Sequence, residues 1–268
     1  MAMCCVFAAC SSDVTGSQAT PGPSPAQTQA VPSPASTPTP PGLLRPELER
    51  GVVYPQYGPT AYGVANTTWQ KGIKSIKSQT AATWLEMPIL LEQSNNVSIS
   101  VGQGATAPSL DAFVSGIHTA KELGFHLFVV PLLKVDTPGG WAGTIQISAS
   151  YQQAWFDSYW NALKPYAQMA QENGVDQMAI GTEIVWLETN APASLWNQLI
   201  SRVRSVFKGD LTYDMNWYPS LTQDPTSWMK NSELKSIGLS EYVPLMDTPD
   251  AVSPDAMPAL WKNKVGKL

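Results

Sequence analysis

From about residue 46 the chain alternates two apolar patterns, short dense runs and longer runs with helical spacing. "GVVYPQY" is a short β-rich run. "NTTWQKGIKSIKSQTA" puts Trp69, Ile73 and Ile76 on one helical face, with Asn66 or Thr67 as N-cap. "ATWLEMPILLE" predicts a strand. "SLDAFVSGIHTAKELG" predicts an amphipathic helix opened by Ser109 and closed by Gly124. "FHLFVVPLLKV" is almost continuously apolar, as expected of a strand covered on both faces. A long helix follows within "SYQQAWFDSYWNALKPYAQMAQENG"; Pro165 is expected to kink or divide it. The strand "DQMAIGTEIVWLE" comes next, then a helix in "APASLWNQLISRVRSVFKG". Strand "DLTYDMNWYPS", short helix "TSWMKNSEL", strand "KSIGLSEYVPL" and a last helix in "SPDAMPALWKNKVGKL" complete the pattern.

A strand–helix alternation repeated six times with short loops is the pattern of a parallel α/β fold. A doubly wound sheet and a (β/α)₈ barrel both fit. No Gly-rich phosphate turn follows any strand, so the doubly wound reading lacks support. The expected fold is a TIM-type (β/α)₈ barrel, incomplete, with about six βα units present. Polar and aromatic residues gather where strands end: Glu86 and Glu92, Glu183, Asn216 and Trp217, Tyr242. In barrel enzymes that end carries the active site.

The first 45 residues are different. Residues 1–10, "MAMCCVFAAC", resemble the end of a bacterial lipoprotein signal, with Cys10 in the lipidated place. The segment is too short to span a bilayer. Residues 11–45 are rich in Ser, Thr, Ala, Gln and Pro with no apolar period, which predicts an extended disordered linker. An anchor plus a tether places the working domain, residues 46–268, outside the cytoplasm, as a cell-surface lipoprotein or secreted protein. Any membrane contact is expected only through that lipid.

Composition narrows the partners. The net charge is −5 and no Lys/Arg cluster is visible, so nucleic acid is not expected. All three cysteines lie in the first ten residues, leaving the body without thiol or disulfide chemistry. Only His118 and His126 exist, so no zinc site is expected. Ten Trp and nine Tyr serve first as core, and secondarily as platforms for flat, hydroxyl-rich ligands such as sugars.

Glu183 is the most informative single position. A carboxylate at a strand end costs several kcal/mol if buried without partners. The only arginines are Arg45, Arg50, Arg202 and Arg204, and the last two are expected to face solvent from a helix. A buried partner is therefore not evident, and both a structural and a chemical role stay open. His118, mid-helix, and His126, at a strand start, read as packing or stabilising residues. Glu86 and Glu92 face either the pocket or a loop, and Asp136 and Asp247 fit turns as well as chemistry.

"VDQMAIGTEIVWLE", with "LWNQLISRVRSVFKGDLTYDMNW" and "KSIGLSEYVPL", resembles glycoside hydrolase family 113, mannanase-type barrels of the large retaining clan. "IGTE" and "LTYDMNW" are the most specific parts, and the resemblance runs from about residue 50 to the C-terminus. It implies that Glu183, ending the fourth predicted strand, is the general acid/base. It implies that Trp217 and Asn216 line a sugar subsite, that Tyr242 hydrogen-bonds the nucleophile, and that Trp141 stacks on another sugar unit. Much of the clan has Asn before the acid/base to hold the sugar 2-hydroxyl; Thr182 stands here and reaches less far. The substrate implied is a β-linked, mannan-like carbohydrate, with no cofactor or metal, and the full-length protein is expected to be a monomer.

Retaining hydrolysis needs two carboxylates, about 5–5.5 Å apart. The resemblance places the nucleophile on a seventh strand, and the chain stops after the helix that follows the sixth. A C-terminally truncated product, inactive or nearly so, is therefore expected. Glu241 is the nearest substitute, but alternation points it away from the barrel if Tyr242 points in. A non-catalytic carbohydrate-binding lipoprotein on a degenerate barrel is the alternative.

Overall fold

The dense apolar runs become strands of one sheet, and the amphipathic runs become the helices that cover it. In the computed structural model, residues 49–217, 225–242 and 253–265 are described. Cys10, the linker and Asp247 lie outside them. The strands are β1 (Gly51–Val53), β2 (Trp84–Gln93), the two-residue β3 (Val101–Gly102), β4 (His126–Val135), β5 (Gln177–Thr182), β6 (Asp210–Asn216) and β7 (Leu234–Ser240). The helices are α1 (Thr67–Gln79), α2 (Leu110–Glu122), α3 (Gln152–Glu172), α4 (Val185–Asn190), α5 (Ala193–Val206) and α6 (Met257–Val265). Spatial order is β1-β2-β4-β5-β6-β7, all parallel, with β3 antiparallel on β2. Consecutive parallel strands separated by helices and lying side by side are the grammar of a (β/α)₈ barrel. Six such strands form an open arc of it among the described residues.

Two cores follow from strand alternation. One lies between sheet and helices and holds Leu85, Met87, Leu127, Val129, Met178, Ile180, Leu211 and Tyr213 with the helical residues. The other lies on the inner face and is small: Phe128, Val130 and Ala179, with Trp84 and Leu132 against it. Trp69, Trp155, Trp196 and Trp228 are fully buried, so packing is the use of most of the large rings. Trp196 and Trp228 stack at 4.1 Å, and Tyr213 meets both edge-on.

Local chemistry sets the boundaries. Asn66 is the α1 cap, its side chain accepting the Trp69 N–H at 3.0 Å. Ser109 caps α2 by accepting from the Ala112 N–H, and Gly124 follows with φ +74°. β1 is shorter than the β-rich run suggests, because Pro55 removes a ladder donor. Beyond its end, the Tyr62 hydroxyl donates to the Pro88 carbonyl at 2.5 Å.

Three expectations need correction. Of a kink or a division at Pro165, the division does not occur; one helix runs across it. Buried Trp160, Leu163, Tyr166 and Ala167 anchor the helix on both sides of the proline, and tertiary packing outweighs the lost hydrogen bond. "TSWMKNSEL" forms only a 3₁₀ turn, Ser227–Lys230. Arg204 is not a free solvent arm: it donates to the Phe207, Gly209 and Glu233 carbonyls and pairs with Glu233 at 2.8 Å. No helix among the described residues is long and apolar enough to cross a membrane.

Candidate active site

The segment Ile180–Ile184 is a strand end bent by its surroundings. The ladder between β5 and β6 slips between Ala179 and Thr182. At the slip, a Cβ on Gly181 would stand 3.1 Å from both the Ile184 methyl and the Tyr213 ring, so a residue without a side chain sits there. The shift brings Thr182 into register with Asp214, on the inner face. Glu183 then takes φ +52°, the only positive φ among described non-glycine residues. That conformation costs a non-glycine residue on the order of 1–2 kcal/mol.

Two hydrogen bonds hold the bend. The Glu183 N–H donates to the Asp214 carbonyl at 2.8 Å. The Ile184 N–H donates to the Tyr213 hydroxyl at 2.9 Å, and that hydroxyl donates to Glu188 Oε1 at 2.7 Å. The Glu183 side chain is half-buried and makes no ion pair among the described residues. Arg202 is engaged elsewhere, with Asp157 at 2.6 Å.

Other carboxyls surround it. Asp214 lies over Gly238 of β7, where a Cβ would approach its Oδ1 to 3.0 Å, and it accepts from the Ser240 hydroxyl at 2.9 Å. Burial pushes Asp214 up to about 7, the Glu183 charge adds to this, and the Ser240 bond opposes it. Glu188 is 3% exposed and is likewise pushed up to about 7 by burial, against the Tyr213 bond and with Glu183 and Asp214 adding. Glu86, buried on the inner face of β2, is held well above the carboxylate range by desolvation and then by Asp214. Thr182 Oγ1 is buried without a hydrogen-bond partner among the described residues. The strand ends around Glu183 thus gather several carboxyls whose pKa values are raised by burial.

The expected rim residues reach the same end of the barrel. Asn216 closes β6 in register with Ser240, and half-buried Trp217 follows it. Tyr242 lies two residues past β7, with its N–H on the Ser240 carbonyl at 2.9 Å. Its hydroxyl is raised by burial and then by Glu183, Glu86, Asp214 and Tyr57, so it shares their field. Trp141, 40% exposed, precedes the turn Ala142–Thr144, which packs against α4.

The remaining candidates separate from the site. Glu92 is at the rim but is bound by the Thr106 N–H and hydroxyl. His118 hydrogen-bonds Asn173 on the outer surface, and His126 pairs with Asp176 at the opposite strand ends. Asp136 pairs with Lys134. Glu241 is half-buried, its Oε2 has no hydrogen-bond partner among the described residues, and burial raises its pKa. Sequence reasoning missed Asp214, Glu188 and Tyr57. The last is a half-exposed rim tyrosine whose hydroxyl is raised by burial and then by Glu86. No group of three or more His, Cys, Asp or Glu among the described residues is placed to hold a metal ion.

The model of Glycoside Hydrolase Family 113 matches residues 60–265. The chain belongs to glycoside hydrolase family 113. Solved members of the family share its fold. A family 113 β-1,4-mannanase superposes with a TM-score of 0.64 at 22% identity, over 81% of this chain and 66% of that one. A complex of a family 113 β-1,4-mannanase gives 0.61 at 23% identity, covering 72% and 63%. The family 113 β-mannanase AaManA from Alicyclobacillus acidocaldarius, in complex with ManMIm, gives 0.62 at 20% identity, covering 80% and 66%. The chain therefore spans somewhat less than two thirds of the length of these family 113 structures. None of the curated proteins compared matches it.

Proposed function

We propose that this family 113 chain carries the proton-transfer half of a retaining glycoside hydrolase acting on a β-linked, mannan-like carbohydrate. The observation that carries the reading is Glu183. It stands in a strained bend at a strand's C-terminal end, with its side chain left out of any ion pair among the described residues. A structural carboxylate would be satisfied in place; this one has its backbone fixed instead. Glu183 protonates the leaving glycosidic oxygen, then accepts the proton of the incoming water. Trp217 and Asn216 line the sugar at the reacting centre, Tyr242 orients the opposing carboxylate, and Trp141 stacks on a further unit. Thr182 offers the sugar its hydroxyl, which has no hydrogen-bond partner among the described residues.

Retention requires a nucleophile about 5–5.5 Å from the acid. Asp214 and Glu188 are already engaged by Ser240 and Tyr213. The chain alone is therefore proposed to bind β-mannan and to hydrolyse it weakly or not at all.

Azide supplied from solution tests the acid directly. An azide nitrogen bonds the anomeric carbon as the glycosidic C–O bond breaks, and the Glu183 proton goes to the leaving oxygen. Release of mannosyl azide from a β-1,4-mannooligosaccharide, abolished in Glu183→Gln with binding unchanged, supports the reading. Mannan binding with no azide-dependent cleavage favours a non-catalytic binding protein. As part of the same reading, Cys10 is lipidated and residues 11–45 tether the domain outside the cytoplasm. A fatty-acid label that enters the protein in its host and is lost in Cys10→Ser checks this.

A further inference from the structure

We infer that Tyr213 and Glu188 are positioning residues for the Glu183 bend, a role that rests on the reading of Glu183 as the acid. Glu183 is not held by its own side chain. Its peptide is clamped on both sides, by the Asp214 carbonyl before it and by the Tyr213 hydroxyl after it, at 2.8 Å and 2.9 Å. Tyr213 accepts from Ile184 with the same oxygen whose proton it gives to Glu188 at 2.7 Å. Donation to a carboxylate enriches that oxygen and strengthens it as an acceptor. The Tyr213 hydroxyl is itself raised far above its ordinary range, first by burial, so its proton stays in place.

Glu188 cannot retreat from this relay. The Trp228 indole N–H donates to its backbone carbonyl at 3.0 Å, and the Trp196 indole N–H donates to the Leu187 carbonyl at 3.0 Å. The stacked tryptophans thus fix the last turn of α4, whose Leu187 carbonyl also accepts the Ala191 N–H at 3.1 Å. The groups that act on Glu188 are Tyr213 and Asp214 from β6 and Glu183 from the bend. Burial raises Glu188 to about 7, so the relay tightens as pH rises through that value. Proton transfer at Glu183 is then linked to the charge on a residue that never touches the sugar.

Amide hydrogen exchange in the 268-residue chain tests the relay without any need for turnover. Tyr213→Phe removes the acceptor and is expected to speed exchange of the Ile184 amide about tenfold, with α2 amides unchanged. Glu188→Gln keeps an acceptor for Tyr213. It should preserve most of the protection while shrinking the inflection near pH 7 in the Ile184 amide shift. Unchanged protection in Tyr213→Phe overturns the proposal. If that variant does not fold, Glu188→Gln against the unsubstituted chain decides: an Ile184 shift with the same pH dependence between pH 6 and 8 in both overturns the proposal, whereas an inflection that shrinks in Glu188→Gln supports it. Absence of any cleavage in the azide assay would remove the catalytic reading and leave these exchange results standing.

Discussion

The six-residue strand β5 has a carboxylate at each end, and the two are treated in opposite ways. Asp176, just before Gln177, is fully engaged: its Oδ1 meets His126 Nδ1 at 3.0 Å and its Oδ2 accepts the Leu127 N–H at 2.9 Å. His126 in turn stacks on Trp84 at 5.0 Å, so this acid fastens three strand starts together. Glu183, just after Thr182, has its main chain fastened and its side chain outside any ion pair among the described residues. One end spends its carboxylate on stability and the other carries strain. A barrel separates these tasks because its two rims are built from opposite strand ends.

The widest gap between the two acids should appear in paired substitutions. Glu183→Gln is expected to lower azide-dependent cleavage by about 10²–10⁴-fold, the usual size of general acid catalysis, while stability moves by no more than ~0.5 kcal/mol. Asp176→Ala should do the reverse, costing about 1–3 kcal/mol in urea unfolding and leaving cleavage within about twofold. Equal loss of cleavage in both variants would erase the distinction between the rims.

The next effect is on pH. Asp214 and Glu188 sit near about 7 in the folded protein, above their ordinary values of 3.8 and 4.5. A raised folded pKa means that the native state holds protons the unfolded chain has released. Their contribution is fully present below about pH 4 and is lost as pH rises through 7. At about 1.4 kcal/mol per pKa unit, and allowing for local water, the combined loss is on the order of 2–5 kcal/mol. Unfolding midpoints at pH 5 and pH 8 in the unsubstituted chain and in Glu188→Gln/Asp214→Asn measure it. The double variant should show the flatter profile, and identical slopes would mean that the Glu183 rim is no more acid-loaded than the Asp176 rim.

Gly181 sharpens the comparison further. Gly181→Ala places a methyl 3.1 Å from the Tyr213 ring and from Ile184 Cδ1. Repacking is expected to cost about 1–3 kcal/mol in thermal or urea unfolding and to loosen the Ile184 amide. A change confined to stability, with Ile184 exchange unaltered, would detach the packing of Gly181 from the bend.

Much of this was legible in the chain, for reasons that differ by residue. The parallel strands were readable because β2 and β4 are long apolar runs whose alternating and continuous patterns are hard to mistake. Glu183 was readable as a lone charge after an apolar strand. α4 was not, because Ile184, Val185 and Leu187 continue the strand's apolar run; the strand ends only through the Glu183 backbone. Asp214 and Glu188 were hidden for a related reason. Which face Thr182 and Asp214 share depends on a register slip that packing around Gly181 creates, and Glu188 enters the site only through α4. Pro165 does not divide α3 because propensity is local, whereas α3 is held by rings buried on both sides of it.

The smallest expected effect is the most discriminating. Glu183 is the only described non-glycine residue with positive φ, and glycine adopts φ near +52° without steric cost. If the bend is strained for the sake of the side chain, Glu183→Gly should remove the function and raise stability by about 0.5–1 kcal/mol, after glycine's greater unfolded-state entropy is deducted. The same substitution at Asp176 has no strain to relieve and removes two hydrogen bonds, so it should destabilise. Opposite signs in two unfolding curves, from one kind of substitution at the two ends of one strand, would show that Glu183 occupies its position against the interest of the fold. A destabilising Glu183→Gly would instead make both carboxylates structural.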